Sequence, residues 1–219
     1  MKRRFAALWA PAAAAALMLT LGACSGLYYD AMEQLGFEKR DILVDRVEDS
    51  RDAQREASEQ FQSALEQFIA VTDFEGGDLE AVYRRLDSEY QASVRSAEAV
   101  RERIAEVEDV ASALFREWEN ELDLYDSDAM RRASERQLEQ TQERYRQMIA
   151  AMHEAEQRIE PVLEAFQDRV LYLKHNLNAR AIGSLRADRQ EIEADLRRLV
   201  EEMNASIEEA NAFIAELGG

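Results

Sequence analysis

Apolar side chains recur along this chain at alternating steps of four and three, with charged residues between them. From Leu79 one seam runs through Tyr83, Leu86, Tyr90, Ser93, Ala97, Val100, Ile104, Val107, Ala111, Leu114 and Trp118. A second runs from Ile182 through Leu185, Arg189, Ile192, Leu196, Leu199, Met203, Ser206, Ala210 and Phe213 to Leu217. Leu138, Thr141, Tyr145, Met148, Met152, Ala155, Ile159, Val162 and Phe166 make a third. Leu43, Val47, Ser50, Gln54, Ala57, Phe61, Ala64, Phe68 and Val71 make a fourth. This is the heptad rhythm of helices that bury one stripe. Val200, Ile207 and Ile214 widen the last stripe, as a bundle requires. No repeat of solenoid period interrupts it.

The breaks are few. Gly76-Gly77 followed by Asp78 marks a turn and a cap. Asp126-Ser127-Asp128 marks another. Pro161 falls inside a helical stretch and predicts a kink, since it removes a backbone donor. Between Leu177 and Ile182 the apolar phase changes, near Asn176, Asn178 and Gly183. Residues 176–184 therefore form either a turn or part of one very long helix, and the helix count stays open between three and four. The first two helices are predicted to run about 47 residues each, roughly 70 Å at the usual rise. Short turns between long helices imply antiparallel packing. The predicted fold is all-α: an elongated antiparallel bundle with coiled-coil-like seams. Between Val47 and Phe61 no large apolar residue occurs. That stretch reads as a solvated helix held by acid–Arg pairs, with small residues allowing close approach. The competing reading is a polar stretch that binds a partner.

The first 23 residues break the pattern. Lys2, Arg3 and Arg4 precede an apolar run from Phe5 to Leu19, too short and too Ala-rich for a membrane span. Leu21-Gly22-Ala23-Cys24 follows, with small residues ahead of a cleavage point. Cys24 is the only cysteine of the chain. The arrangement resembles a bacterial lipoprotein signal, in which that thiol receives a diacylglycerol. A lone free thiol is a liability in an oxidising compartment, and an acylated one is not. Ser25, in place of Asp, implies by the same resemblance the outer membrane. The expected organisation is a signal peptide over 1–23, a lipidated end and tether over 24–27, and one helical domain over 28–219. Tyr28 and Tyr29 are placed either at a membrane interface or in the first layer of the core.

Composition sharpens the functional reading. The chain carries 27 basic and 45 acidic residues, a formal charge of −18. Residues 1–23 hold three of the basic residues and no acidic one, so the remaining 196 residues carry 24 against 45, a charge of −21. Such a chain is repelled by nucleic-acid phosphates and by anionic lipid. A single cysteine excludes an internal disulfide and a multi-cysteine metal site.

The opening Tyr28-Tyr29-Asp30-Ala31-Met32-Glu33 and the run from Lys39 to Asp49 resemble the bacterial family catalogued as domain of unknown function 2959. Phe74-Glu75-Gly76-Gly77-Asp78-Leu79-Glu80 and Leu171-Tyr172-Leu173-Lys174-His175-Asn176-Leu177-Asn178-Ala179 resemble two further blocks of it. The resemblance implies an exported helical protein. It implies no activity and carries no catalytic residue.

The residues themselves supply no catalytic constellation. His153 begins His-Glu-Ala-Glu-Gln, where a zincin would need a second His at the position of Gln157. A di-iron bundle site would place Glu three residues before His; Ala150 and Tyr172 stand there for His153 and His175. Asp126 and Asp128 lack the Gly of a calcium loop. No phosphate-cradling loop or nucleophile elbow occurs. No cofactor, metal site or enzyme activity is expected.

One stretch departs from the acidic background. Residues 169–187 contain no Asp or Glu, and bring together Arg169, Tyr172, Lys174, His175, Asn176, Asn178, Arg180 and Arg186. Two readings stay open: a contact patch for an acidic partner, an anionic glycan or another copy, or a segment packed on an acidic helix with its Asn residues capping a turn. The expected function is that of an outer-membrane-anchored periplasmic scaffold with a protein partner or self-association. The alternative is a ligand- or divalent-cation-binding module of the envelope, recognisable by a saturable heat on calcium or magnesium titration.

Overall fold

The computed structural model describes residues 38–217. Cys24, Ser25, Tyr28 and Tyr29 lie outside them. Four helices follow in order: α1 Lys39–Thr72, α2 Leu79–Glu121, α3 Asp128–His175 and α4 Ala179–Leu217. The question of three or four is thus answered by a break between His175 and Ala179. A 3₁₀ turn, Leu122–Leu124, extends α2. At 1.5 Å per residue the 43 residues of α2 and 48 of α3 are roughly 65 and 70 Å long.

The ends are set by local chemistry. Asp78 accepts from the Ala81 amide at 3.1 Å and starts α2. Ser127 accepts from Met130 N–H and starts α3. The Asn178 carboxamide oxygen accepts from the amides of Arg180 and Ala181, at 3.0 and 3.2 Å, and starts α4. Each satisfies donors that a helix start leaves orphaned. Gly76 and Gly77 both adopt positive φ in the α1–α2 turn, where a side chain would strain the backbone. Helix α3 runs through Pro161, which is exposed on its outer face.

Consecutive helices pack antiparallel, and α4 closes the ring against α1. Lys39 on α1 reaches Glu117 on α2 at 2.9 Å. Trp118 Nε1 donates to Ser134 on α3 at 2.8 Å. Arg158 on α3 meets Glu202 on α4 at 3.0 Å. Arg40 on α1 donates to the Leu217 carbonyl on α4. One end of the bundle therefore holds the start of α1, the α2–α3 turn and the end of α4. The opposite end holds the α1–α2 and α3–α4 turns.

The four seams meet in one core. Every α1 seam position from Leu43 to Val71 is buried. Phe166 lies edge-on to Phe68 and Tyr90, at 6.2 and 6.0 Å between ring centroids, and ties α1, α2 and α3 together. Toward the other end Tyr145 lies between Phe115 and Phe213 and ties α2, α3 and α4. These offset geometries suit the ring quadrupoles.

The stretch after Val47 differs from its reading as a solvated helix. Its outward face is charged and paired, as in Arg46–Asp49 at 3.1 Å. Its inward face is buried, and it is polar or small: Ser50, Gln54, Ala57 and Ser58. Gln54 is wholly enclosed, and neither its amide nitrogen nor its oxygen has a hydrogen-bond partner.

Candidate functional site

The residues of the basic stretch occupy the end of α3, the following turn and the first turns of α4. The fold divides them into two sets. Arg186, itself exposed, reaches across to the end of α1 and donates twice to the Thr72 carbonyl, at 3.0 and 2.7 Å. It thereby satisfies one of the carbonyls that the end of α1 leaves orphaned. Arg169 lies against α4, with its guanidinium 3.5 Å from Asp188 and a bond to the Ala165 carbonyl. Asn176 donates to the Tyr172 carbonyl at 2.9 Å, and Asn178 caps α4. These four residues hold the bundle end together.

The second set faces solvent. Lys174, His175 and Arg180 are exposed and make no ion pair among the described residues. Lys174 and His175 sit in the last turn of α3, where the helix dipole favours positive charge. Tyr172 is exposed beside them, together with Leu171 and Leu177. The sequence pattern puts Leu177 in one seam with Leu173, but the turn that follows His175 leaves it exposed, and Leu171 carries no seam signal.

The nearby α1–α2 turn is acidic, but most of its charge is engaged. Asp73 takes Arg189 at 2.8 Å, Glu80 takes Arg84 at 2.6 Å, and Asp78 caps α2. Arg189 also binds Glu193, which holds its guanidinium above its ordinary pKa and holds the Glu193 carboxyl below its own. Lys174 and Arg180 thus stand as unpaired cations at an end where Glu75 and Asp78 also make no ion pair.

His153 lies elsewhere, midway along the bundle, and bridges two helices. Its Nε2 is 2.9 Å from Glu108 on α2, and its Nδ1 is 3.0 Å from Glu156 on α3. The hydrogen bond to Glu108 is the main cause that raises its pKa, opposed by partial burial and aided by Glu156. The two carboxylates bind opposite nitrogens of one ring, so they brace an imidazolium and do not converge on a common metal position. Among the described residues no group of three His, Cys, Asp or Glu is placed to hold a metal ion. Nearby, burial and the Glu108 charge push the Tyr145 hydroxyl up to about 12.

The cavities are small or shallow. One of about 60 Å³ lies between Leu114, Trp118, Thr141 and Phe213 at the α2–α3 end, under the Arg144–Glu216 pair. Metabolite sites run to roughly 300–1,000 Å³, so this one holds waters at most. A shallower groove opens beside it between Trp118, Tyr125, Met130 and Gln137. No described helix is long and apolar enough to cross a membrane.

A family model matches residues 28–217, and its description reads "protein of unknown function (DUF2959)". The chain belongs to this family. No curated protein and no solved structure matches the chain. The DUF2959 description assigns no activity, so none passes to the patch or to His153 by membership.

Proposed function

We propose that this DUF2959 member is a lipoprotein held by acylated Cys24 at the periplasmic face of the outer membrane, and that it works there as a helical scaffold. The observation that carries the reading is the leader: three basic residues, an Ala-rich apolar run, and Leu21-Gly22-Ala23 directly before the only cysteine. Two or more acyl chains anchor a protein stably where one does not. The bundle supports a scaffold role in two ways. Its interior is filled by side chains along its whole length, which suits rigidity over catalysis. Its surface is a lattice of interhelix pairs such as Arg158–Glu202 and Arg144–Glu216.

The chain enters α1 at the α2–α3 end, so an anchor at Cys24 puts the α3–α4 turn at the far end. The exposed set, Lys174, His175 and Arg180, would then be the part presented away from the attachment point. Cross-linking in the native cell, with a Cys24→Ala variant as control, tests the scaffold reading. Envelope proteins or copies of the chain captured by the anchored protein, and lost in the variant, support it. Identical capture from both forms removes the anchor from the account.

A further inference from the structure

Among the described residues the exposed large apolar side chains are Leu124, Tyr125, Met130, Leu171, Tyr172 and Leu177. All six lie at the two ends of the bundle, three at each, and none on its flanks. Leu124 and Met130 are the most open, at 78% and 61% exposure.

The charges directly flanking the apolar side chains differ in sign between the two ends. At the α2–α3 turn, Glu121, Asp123 and Asp126 are exposed and have no ion pair among the described residues. Asp128 there meets Arg131 at 3.9 Å, and Arg116, Arg132 and Arg136 are nearby cations without an ion pair among the described residues. At the α3–α4 turn Lys174 and Arg180 are exposed cations without an ion pair, and Glu75 and Asp78 of the adjacent turn have none either. The shapes also differ. The acidic end has the shallow groove between Trp118, Tyr125 and Met130, about 350 Å³. The basic end has Leu177 at the apex of a tight turn.

We propose that the basic end of one copy docks on the acidic end of a second copy, head to tail, with Leu177 and Tyr172 seated against the Trp118–Met130 groove. The occupant is argued from the chain's own complementarity: cations around an apolar knob at one end, anions around an apolar groove at the other. Different surfaces meet, so the contact is heterologous and generates files rather than closed dimers. The proposal rests on the anchoring reading above. An end-on contact of four helices is smaller than the ~800 Å² per partner of a stable interface. Association is therefore weak in free solution and is sustained by confinement on a membrane, which raises effective concentration.

The test uses the lipidated full chain in its native envelope, with a photo-cross-linking side chain in place of Leu177. The expected product joins two copies, and its second attachment maps to residues 118–137. Lys174→Glu with Arg180→Glu is expected to lower the yield about tenfold or more, since like charges then meet. Asp123→Lys with Asp126→Lys does the same. Co-expression of both variants, with the probe on the first, restores the product. The proposal is overturned if no copy-to-copy product forms, if it maps to helix flanks or to another Leu177, or if it survives charge reversal. Mass analysis of Cys24 in the same sample separates the two readings: an unmodified cysteine with the product intact removes the anchor and leaves the docking.

Discussion

Gln54 is the side chain least suited to its surroundings. It is fully buried, with amide nitrogen and oxygen both unpartnered. The level of the bundle around it is also polar or soft: Ser50 lies 3.7 Å from the Met152 sulfur, and the Ser206 hydroxyl on α4 is buried without a partner. An enclosed polar group lacking a hydrogen bond costs about 1–3 kcal/mol. Gln54→Leu keeps the volume near its present value and removes that cost. The thermal midpoint, followed by far-UV circular dichroism, is expected to rise by several degrees. A lower midpoint would mean that the amide is satisfied in solution and that the layer is a cohesive polar network.

His153 makes a second prediction at this scale. Its folded pKa is raised by Glu108 first, and by Glu156, against a reference of 6.5. A raised pKa means that the folded state holds the proton more tightly. The stabilisation is fully present below pH 6.5 and is lost as pH rises through the folded value. Arg101 shares Glu156 at 3.8 Å and partly screens the effect. The thermal midpoint of the wild type should therefore fall between about pH 6 and pH 8 relative to His153→Gln, which should be flat against it. Parallel profiles would show that the bridge does not form in solution.

At the scale of elements, the turns and caps decide more than the helix interiors. Arg186 bonds the last carbonyl of α1, whereas Lys174 and Arg180 touch nothing charged. Arg186→Ala is expected to destabilise by about 1.5–3 kcal/mol, the range for a charged hydrogen bond. Lys174→Ala and Arg180→Ala should stay within ~0.5 kcal/mol. Denaturant unfolding of the three variants measures the split; equal losses would place all three residues in the architecture. Gly183 sits in the second turn of α4, and a Cβ there meets nothing within 4 Å. Gly183→Ala should stabilise by about 0.5–1 kcal/mol, through helix propensity alone. A loss of stability would mean that the start of α4 needs the glycine.

Much of this scale was legible in the sequence. The α1 seam from Leu43 to Val71 is buried at every position, including Ser50 and Gln54, because heptad phase specifies direction whatever the side chain. The turn at Asn176–Asn178 stayed ambiguous because a phase shift and a chain reversal look alike locally; the Asn178 cap and the packing of α4 on α1 decide it. The roles of Arg169 and Arg186 were not legible. Each depends on a partner in another helix, Thr72 on α1 for Arg186 and Asp188 on α4 for Arg169, and composition cannot separate them from Lys174 and Arg180. The His153 bridge was missed for the same reason, since Glu108 lies on another helix.

At the scale of the whole molecule, the described residues form an elongated acidic bundle with unlike ends, and the proposed anchor lies near one of them. The scaffold role and the orientation depend on that attachment, and the end-to-end contact is strengthened by it. Orientation follows from where the chain enters α1, and membrane confinement is what would make a small end-to-end contact effective. The most direct measurement is mass spectrometry of the N-terminal peptide of the protein purified from native envelopes. The expected product is a mature chain beginning at Cys24, with a diacylglycerol thioether on its sulfur and a mass that shifts with the acyl composition of the cell. A mature chain that begins elsewhere, or an unmodified thiol at Cys24, would contradict it.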